Sequence, residues 1–370
     1  MTGFSPPPYP YDRLEDVIAK AEGHSGGAID LSIGTPTDPP APAVVAALST
    51  SGAERGYPPS VGTPELRAAA SAWMGRRFGV TVPPEHVAAT IGSKELVAGL
   101  PQWLRLRTPE RDTVLYPAIS YPTYEMGAIL AGCRAVPVPT DDHWRLDLGA
   151  IAAQDAERAL CLWVNSPGNP AGGLDDLAAA ASWGRSRAVP VFSDECYAEF
   201  TWSGPPRTVL EHGREGVVAL HSLSKRSNLA GVRVGFYAGD DELVHYLSEV
   251  RKHAGFMCPG PSQAAAVAAL GDDTHVASQR ARYQRRLARL AQLLTDHLGL
   301  DVAQPGGGFY LWVRSPDGDG WSLTDRLAVE AGIVASPGEF YGTAGSAHVR
   351  LALVCPDEAL DLVAERVGAR

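Results

Sequence analysis

Short apolar runs alternate with amphipathic stretches along most of this chain. The apolar runs have the length of buried strands and lie over residues 87–91, 113–116, 134–138, 159–164, 189–193, 217–221 and 232–238. Helical patterns fill the intervals, for example over 95–104, 122–131 and 175–187. Because apolar strands that alternate with helices favour parallel pairing, we expect an α/β fold with a mostly parallel seven-stranded sheet and helices on both faces.

The two ends of the chain have a different pattern. A short helix is predicted from Asp12 to about Gly23, and an apolar strand follows over 28–33. Long helical patterns over 240–253 and 272–298 precede shorter strand and helix patterns that run to the end of the chain. We therefore expect a large domain over 41–255 and a smaller α+β domain formed by 1–40 together with 256–370.

Composition narrows the classes of protein that this chain can be. It has 370 residues, of which 45% are hydrophobic and 20% are charged, as in ordinary globular proteins. The net charge of −10 argues against a nucleic-acid partner. Its 5 cysteines are scattered without a CxxC pair, which predicts neither a disulfide framework nor a metal site. Since no signal peptide or membrane span is apparent, we expect a cytoplasmic protein without a membrane partner.

Polar residues directly follow four of the predicted strands. They are Gly92-Ser93-Lys94-Glu95, the stretch from Asn165 to Pro170, Asp194-Glu-Cys-Tyr197 and Ser222-Leu-Ser-Lys225. Ligands of open α/β sheets bind beyond the carboxyl ends of the strands. We therefore expect these segments to meet at one edge of the sheet.

The stretch around Lys225 suggests a covalent catalyst. A lysine amine acquires that role when it forms a Schiff base with a carbonyl cofactor. Ser222 and Ser224 precede Lys225, and Arg233 follows it, so hydroxyls and an arginine are available for a nearby phosphate. A solvated serine- and lysine-rich loop is the alternative for this stretch taken by itself.

The other strand ends offer what pyridoxal phosphate needs. A carboxylate keeps the ring nitrogen of this cofactor protonated, and Asp194 is suited to that task, although a helix N-cap is the alternative. Tyr197 and Asn165 can hydrogen-bond the phenolic oxygen, and Asn165 can equally be a turn residue. Ser93 and Lys94 open a helix, and helix amino ends bind phosphate.

Two further positions extend this set. An aromatic side chain should cover the ring face, and Tyr121 is the candidate, whereas Tyr124 can be a core residue. A substrate carboxylate calls for a bidentate arginine. Arg350 interrupts an otherwise apolar strand pattern, which indicates either this clamp or a paired structural ion.

Taken together, these residues resemble the class I and II aminotransferases of fold type I. The shared set is Tyr57, Gly92-Ser93-Lys94, Tyr121, Asn165-x-Pro-x-Asn-Pro, Asp194-x-x-Tyr197, Ser222-x-Ser-Lys225, Arg233 and Arg350, in the family's order. Several phrases, including GYPPSVGTPELR, SDECYAEF and HSLSKRSNLAG, more narrowly resemble actinobacterial N-succinyldiaminopimelate aminotransferases. The loop before Tyr121 departs from the commonest family pattern.

The resemblance implies a role for each residue. Lys225 would bind the cofactor covalently and move the proton between the substrate α-carbon and C4′. Asp194 would pair with the ring nitrogen, Tyr197 and Asn165 would hold the phenolic oxygen, and Tyr121 would stack on the ring. The implied phosphate ligands are Ser93, Lys94 through its backbone, Ser222, Ser224 and Arg233. Arg350 would bind the substrate carboxylate with help from Gly34 and Asn165. Tyr57 would reach the cofactor of a neighbouring subunit, which implies a homodimer.

The expected reaction is a two-step transamination in lysine and diaminopimelate biosynthesis. Glutamate would donate its amino group, and N-succinyl-2-amino-6-oxopimelate would accept it to give N-succinyl-LL-2,6-diaminopimelate. An aminotransferase for aromatic or kynurenine-type substrates, a C–S β-lyase and a regulator that senses pyridoxal phosphate are the alternatives. The distal carboxylate of the substrate needs a polar or cationic site. The basic candidates, each of which can also be a surface charge, are Lys94, Arg226, Arg251 and Lys252.

Overall fold

The computed structural model describes residues 4–368, in which helices and strands alternate. The α-helices in chain order are α1 (Glu15–Glu22), α2 (Pro42–Thr50), α3 (Pro64–Phe78), α4 (Ser93–Arg107), α5 (Thr123–Leu130), α6 (Ala153–Glu157), α7 (Leu177–Arg187), α8 (Leu223–Arg226), α9 (Asp241–His253), α10 (Gly260–Gly271), α11 (Thr274–Leu298), α12 (Gly320–Ala331) and α13 (Asp357–Arg366). The strands are β1 (Ile29–Asp30), β2 (Val87–Thr90), β3 (Thr113–Pro117), β4 (Arg134–Val138), β5 (Ala159–Asn165), β6 (Val191–Asp194), β7 (Val217–Ser222), β8 (Gly235–Gly239), β9 (Tyr310–Arg314), β10 (Ile333–Val334), β11 (Ser336–Pro337) and β12 (His348–Ala352). Among the described helices, none is long and apolar enough to cross a membrane.

The described chain contains a seven-stranded sheet with the strand order β2-β8-β7-β6-β5-β3-β4. Strands β3 to β7 pair in parallel, whereas β8 runs antiparallel to both of its neighbours, β2 and β7. The predicted α/β fold with a mostly parallel seven-stranded sheet is therefore confirmed.

Strand β8, the last of this sheet along the chain, is shorter than the sequence pattern predicts. The first residue of the apolar run over 232–238 ends a 3-10 turn at Ala230–Val232, and β8 starts only at Gly235. Between them Arg233 has a φ of 57°. A non-glycine residue in this left-handed region cannot continue an extended strand, so the chain turns at Arg233 before it enters the sheet.

Hydrophobic residues cover both faces of the sheet. Along β5, Leu162 and Val164 belong to one buried cluster, while Cys161 and Trp163 belong to another. Successive side chains of a strand point to opposite faces, so this alternation means that β5 is buried on both sides. In the sequence, such strands are therefore continuous apolar runs, as expected for a parallel sheet between helical layers.

Two compact units divide the chain. The large unit is Thr35–Arg282 with Pro305–Gly308, and the small one combines the described residues up to Gly34 with Tyr283–Gln304 and the described residues from Phe309. This division departs from the predicted bounds because residues 256–282 lie with the large unit. The physical reason is that α10 packs against α2 and α3, which belong to that unit.

The small unit combines residues from both ends of the chain. Strands β11, β12 and β9 form an antiparallel sheet in that order. The strand predicted over 28–33 is reduced to β1, which pairs in parallel with β10 through Ile29 and Ile333. Helix α1 packs against α12.

Candidate active site

The carboxyl ends of β5, β6 and β7 lie side by side in the large unit. Asn165 is the register partner of Asp194, and Asp194 is the partner of Leu220. Ser222 ends β7 two residues later, and Lys225 follows on α8. Three of the four polar segments singled out in the sequence are thus neighbours at this edge of the sheet.

Asp194 is buried and held at both carboxyl oxygens. The Tyr124 hydroxyl donates to Oδ2 at 2.8 Å, and the Cys196 backbone N–H donates to Oδ1 at 3.2 Å. Burial raises the pKa of Asp194, while the bonds from Cys196 and Tyr124 and the charge of Lys225 oppose that rise. A carboxylate in such surroundings is stabilised further by a cation beside it, such as a protonated ring nitrogen.

Tyr124 is more than the core residue that the sequence allowed. Its side chain is fully buried and its ring stacks on Trp163, with 5.0 Å between centroids. A buried tyrosine hydroxyl requires a hydrogen-bond partner, and Asp194 is that partner. The signal available in the sequence was its position three residues after Tyr121, at the start of a helix that follows a strand end.

Asn165 forms the turn contacts that its motif also predicted. Its Nδ2 donates to the Asp194 carbonyl at 2.8 Å, and its Oδ1 accepts from the Asn169 backbone N–H at 2.8 Å. The amide has a second N–H that can serve a ligand. The two predicted roles of Asn165, turn residue and cofactor ligand, are therefore compatible.

Tyr121 lies near Tyr124, and Tyr197 lies on the segment that follows Asp194. Tyr121 is half-buried and meets Tyr124 edge-on, with 5.9 Å between ring centroids. Tyr197 is buried and precedes the 3-10 turn at Ala198–Phe200. Tyr57, by contrast, lies in a loop with 93% of its surface exposed in the single chain.

Arg233 and the amino end of α4 form a cradle for an anion. Gly92 immediately precedes α4 with a φ of 69°, and a Cβ placed on it would lie 2.4 Å from Nη2 of Arg233. Ser93 and Lys94 are the first two residues of this helix of 15 residues. The backbone N–H groups and the positive end of a helix dipole attract phosphate, and a guanidinium strengthens that attraction.

The lysine segment carries the remaining hydroxyls. The Ser222 Oγ accepts from the Ser224 backbone N–H at 3.1 Å, and both serines are buried. Lys225 is half-buried, and its charge acts on both Asp194 and Cys196. An amine, a carboxyl and an anion cradle are the groups that pyridoxal phosphate requires, so the residues of the large unit fit this cofactor.

Arg226 and Arg251, expected as candidates for a distal substrate carboxylate, are buried ion-pair partners. Arg226 is 3% exposed and lies 3.3 Å from Glu199, and Arg251 is 1% exposed and lies 2.6 Å from Glu95. The expectation that they are substrate ligands or surface charges is therefore wrong. Lys94 and Lys252 do lie at the surface, where Lys252 is 3.5 Å from Glu249.

Arg350 lies inside the small unit. Its guanidinium carbon is 4.3 Å from the ring centroid of Tyr310 and 4.7 Å from that of Tyr341. It donates to the Ser32 carbonyl and, at 3.4 Å, to the Tyr11 hydroxyl. The aromatic faces and the hydrogen bonds hold the guanidinium in one orientation, as a bidentate clamp requires.

Gly34 also belongs to the small unit and packs tightly there. A Cβ on this residue would lie 2.3 Å from the Tyr310 hydroxyl. The backbone at Gly34 therefore approaches the same tyrosine that packs on Arg350, and a larger residue would displace it.

Comparison with known proteins identifies the family. The model for aminotransferase class I and II matches residues 27–367. The chain is 40% identical to the 4-dedimethylamino-4-oxo-anhydrotetracycline transaminase OxyQ of Streptomyces rimosus, over 98% of this chain and 99% of the relative. It is 43% identical to the probable aminotransferase Rv1178 of Mycobacterium tuberculosis, over 95% of this chain and 83% of the relative.

Two further similarities concern diaminopimelate enzymes. The LL-diaminopimelate aminotransferase of Dehalococcoides mccartyi is 33% identical, over 96% of this chain and 94% of the relative. The solved structure of a probable N-succinyldiaminopimelate aminotransferase from Thermus thermophilus has a TM-score of 0.87 at 30% identity and covers 97% of this chain and 100% of its own. The resemblance drawn from the motifs is confirmed: this chain belongs to the class I and II aminotransferases, which depend on pyridoxal phosphate.

Proposed function

We propose that this aminotransferase transfers the amino group of glutamate to N-succinyl-2-amino-6-oxopimelate in lysine and diaminopimelate biosynthesis. The observation that carries the substrate proposal is the full-length similarity to a probable N-succinyldiaminopimelate aminotransferase of Thermus thermophilus. The similarity to LL-diaminopimelate aminotransferases points to the same substrate class, an amino acid with a second, distant carboxylate. The site of action would be the cytoplasm.

The proposed roles of the large-unit residues are those that the family resemblance implies, and the position of Asn165, Asp194 and Lys225 at neighbouring strand ends supports them. Bound pyridoxal phosphate supplies a carbonyl that takes up amines and a ring that withdraws electrons. Asp194 holds the proton on the ring nitrogen, and the Lys225 amine moves the proton to and from the substrate α-carbon. Tyr197 and Asn165 hydrogen-bond the phenolic oxygen, and Tyr121 covers the ring. The phosphate is bound by Arg233, the amino end of α4 at Ser93 and Lys94, Ser222 and Ser224.

We assign the substrate carboxylate to Arg350, assisted by the Gly34 backbone and by Asn165. A guanidinium that is held by aromatic faces loses little freedom when it binds a carboxylate bidentately. Tyr57 is proposed to reach the cofactor of a second copy, which makes the homodimer the active form. Its 93% exposure in the single chain is consistent with a residue that acts outside its own subunit.

A spectral experiment tests the assignment of Lys225. The purified enzyme should show a visible cofactor band that Lys225→Ala loses and that glutamate bleaches in wild type as 2-oxoglutarate is released. A band that persists unchanged in Lys225→Ala would contradict this assignment. If glutamate leaves the wild-type band unchanged, the proposed donor is wrong.

The substrate proposal requires a panel of acceptors. The 40% identity to OxyQ over the full chain favours a polycyclic ketone as a second candidate acceptor. Aromatic and kynurenine-type acceptors complete the panel, and the highest kcat/KM decides among them. Release of pyruvate and ammonia from cystathionine without a keto acid would instead identify a C–S β-lyase.

A further inference from the structure

The residue after Lys225 lies in an unusual environment for an arginine. Lys225 and Arg226 are the last two residues of α8, a helix of only four residues. Lys225 is half-buried, whereas Arg226 is 3% exposed and extends into the interior of the large unit. A helix this short has almost no internal hydrogen bonding to set its orientation, so its contacts with surrounding elements must do so.

The guanidinium of Arg226 is bound on several sides. Its Nε lies 3.3 Å from Glu199 Oε1, and its Nη2 lies 3.2 Å from Asp273 Oδ1. Nη1 donates to the Ala269 carbonyl at 2.7 Å and to the Ser227 hydroxyl at 3.1 Å. The guanidinium carbon also lies 5.4 Å from the ring centroid of Trp73. These partners match the planar fork of arginine, which lysine cannot reproduce.

Glu199 connects this arginine to the segment that follows β6. Its carboxylate accepts from Trp73 Nε1 at 3.0 Å and from Nε and Nη2 of Arg77 at 3.0 and 2.8 Å. Glu199 is separated by one residue from Tyr197 and lies on the same segment as Asp194. The ion pair between Glu199 and Arg226 therefore joins the segment of Asp194 and Tyr197 to the helix of Lys225.

A buried ion pair is weak evidence for a purely stabilising role. Removing two charges from water costs about as much as their attraction returns, and apolar side chains of similar volume often stabilise a fold equally well. What an ion pair adds is a defined geometry. Arg226 is also an unsuitable substrate ligand, because it is buried and its guanidinium is occupied by protein groups.

We infer that Arg226 is a positioning residue, which orients α8 so that the Lys225 amine faces the cofactor site beside Asp194. This inference rests on the proposed role of Lys225. It assigns to the Glu199–Arg226 pair the alignment of two segments that bear cofactor residues, a function that hydrophobic packing would not provide.

The comparison of Arg226→Lys with Arg77→Lys tests this inference. Both substitutions keep the positive charge and remove a guanidinium from the same carboxylate, but only Arg226 adjoins Lys225. In Arg226→Lys we expect the pH midpoint of the visible cofactor band to move by about half a unit or more. We also expect kcat to fall roughly tenfold with little change in KM, since misalignment affects chemistry more than binding. Arg77→Lys should keep the wild-type midpoint.

Equal midpoints in the two variants would overturn the role of Arg226, even if both lost thermal stability. If Arg226→Lys does not fold, Asp273→Asn serves instead, because it removes the negative charge of a half-exposed partner of the same guanidinium. A smaller midpoint shift in Asp273→Asn supports the inference, and an unchanged midpoint contradicts it. The spectrum of Lys225→Ala separates the two proposals, since a band that persists there refutes the role of Lys225 itself.

Discussion

At the scale of single residues, the carboxyl of Asp194 depends on partners that no motif contains. Tyr124 and Cys196 donate hydrogen bonds to its two oxygens, in a place where burial favours the protonated form. Hydrogen bonds to the charged form of a carboxyl lower its pKa. Together with the charge of Lys225, Tyr124 therefore helps to keep Asp194 ionised.

We predict that Tyr124→Phe weakens cofactor binding. Loss of one hydrogen bond to a charged group costs about 1.5–3 kcal/mol, so the affinity of the cofactor-free protein for pyridoxal phosphate should fall roughly 10- to 100-fold. Titration of the visible band with added cofactor measures this. The matched control is Tyr237→Phe, which removes an equally buried hydroxyl that contacts Ser248 at 3.1 Å. Equal affinities in the two variants would contradict the role of Tyr124.

Glu195 and His221 form a second buried pair, next in the chain to Asp194 and Ser222. Burial raises the pKa of Glu195 to about 8 and lowers that of His221 to about 3. Their facing atoms, Oε2 and Nε2, are 3.4 Å apart. Burial therefore favours the uncharged form of each side chain near neutral pH.

This pair predicts a pH-dependent stability. Folding raises the pKa of Glu195 from 4.5 to about 8. The contribution of protonated Glu195 to the free energy of unfolding is therefore fully present below pH 4.5 and is lost as pH rises through about 8. Glu195→Gln cannot ionise, so it should gain stability relative to wild type across that window, by an amount on the order of 5 kcal/mol. Urea unfolding of the cofactor-free proteins between pH 5 and 9 measures the difference. A difference that stays constant over this range would show that Glu195 is not protonated in the folded state.

At the scale of elements, the anion cradle depends on two residues in the left-handed region. Gly92 turns the chain from β2 into α4, and Arg233 turns it into β8. These turns bring the guanidinium of Arg233 against the backbone of Gly92. A glycine is needed here both for its φ and for the close approach of the arginine.

Gly92→Ala should therefore impair phosphate binding beyond its effect on folding. The matched control is Gly79→Ala, since Gly79 has a similar φ of 71° but open space around its Cβ position. Gly79→Ala should lose about 1 kcal/mol of stability from a left-handed alanine. Gly92→Ala should lose about 1–3 kcal/mol, because the φ of 69° and ψ of 168° at Gly92 fall in a region that is nearly restricted to glycine. Only Gly92→Ala should lose its preference for pyridoxal phosphate over pyridoxal, by tenfold or more, because the methyl group displaces Arg233. Competitive binding of the two compounds measures this, and an unchanged preference would refute the cradle.

At the scale of the whole molecule, the surroundings of Arg350 are assembled from distant parts of the chain. Tyr11 comes from the first residues, Ser32 follows β1, and Tyr310 and Tyr341 flank the guanidinium. Burial opposes ionisation of Tyr11, but the charge of Arg350 and hydrogen bonds to neighbouring groups lower its pKa below the ordinary value. Tyr11, near the beginning of the chain, thus completes the surroundings of Arg350, which lies near the end of the chain.

We expect Tyr11→Phe to weaken the proposed binding of substrate carboxylates. Loss of a hydrogen bond worth about 1 kcal/mol should raise KM for glutamate roughly fivefold and leave the visible cofactor band unchanged. Tyr9→Phe is the matched control, because this neighbouring tyrosine is 56% exposed. Steady-state kinetics with both variants provide the measurement. An increase in KM that is equal in the two would assign the effect to the segment rather than to Tyr11.

Residue types and their order along the chain were sufficient to predict the fold class and the cofactor. Alternation of apolar runs and helices is a local property, and a parallel sheet places the residues that follow its strands at one edge, so Asn165, Asp194 and Lys225 were predictable as a set. The family motifs then identified pyridoxal phosphate as the cofactor. These inferences needed only residue types and their order.

Tertiary structure decided which partners surround those residues. Tyr124, Glu199 and Arg226 look like core or surface residues in the sequence, because a hydrogen bond between positions about 70 or 27 residues apart leaves no local pattern. Burial also decided the states of charged groups, since Arg226 and Arg251 are buried although their sequence context resembles a surface. The free energy of a charge depends on the solvent and partners around it, and only the folded chain defines them.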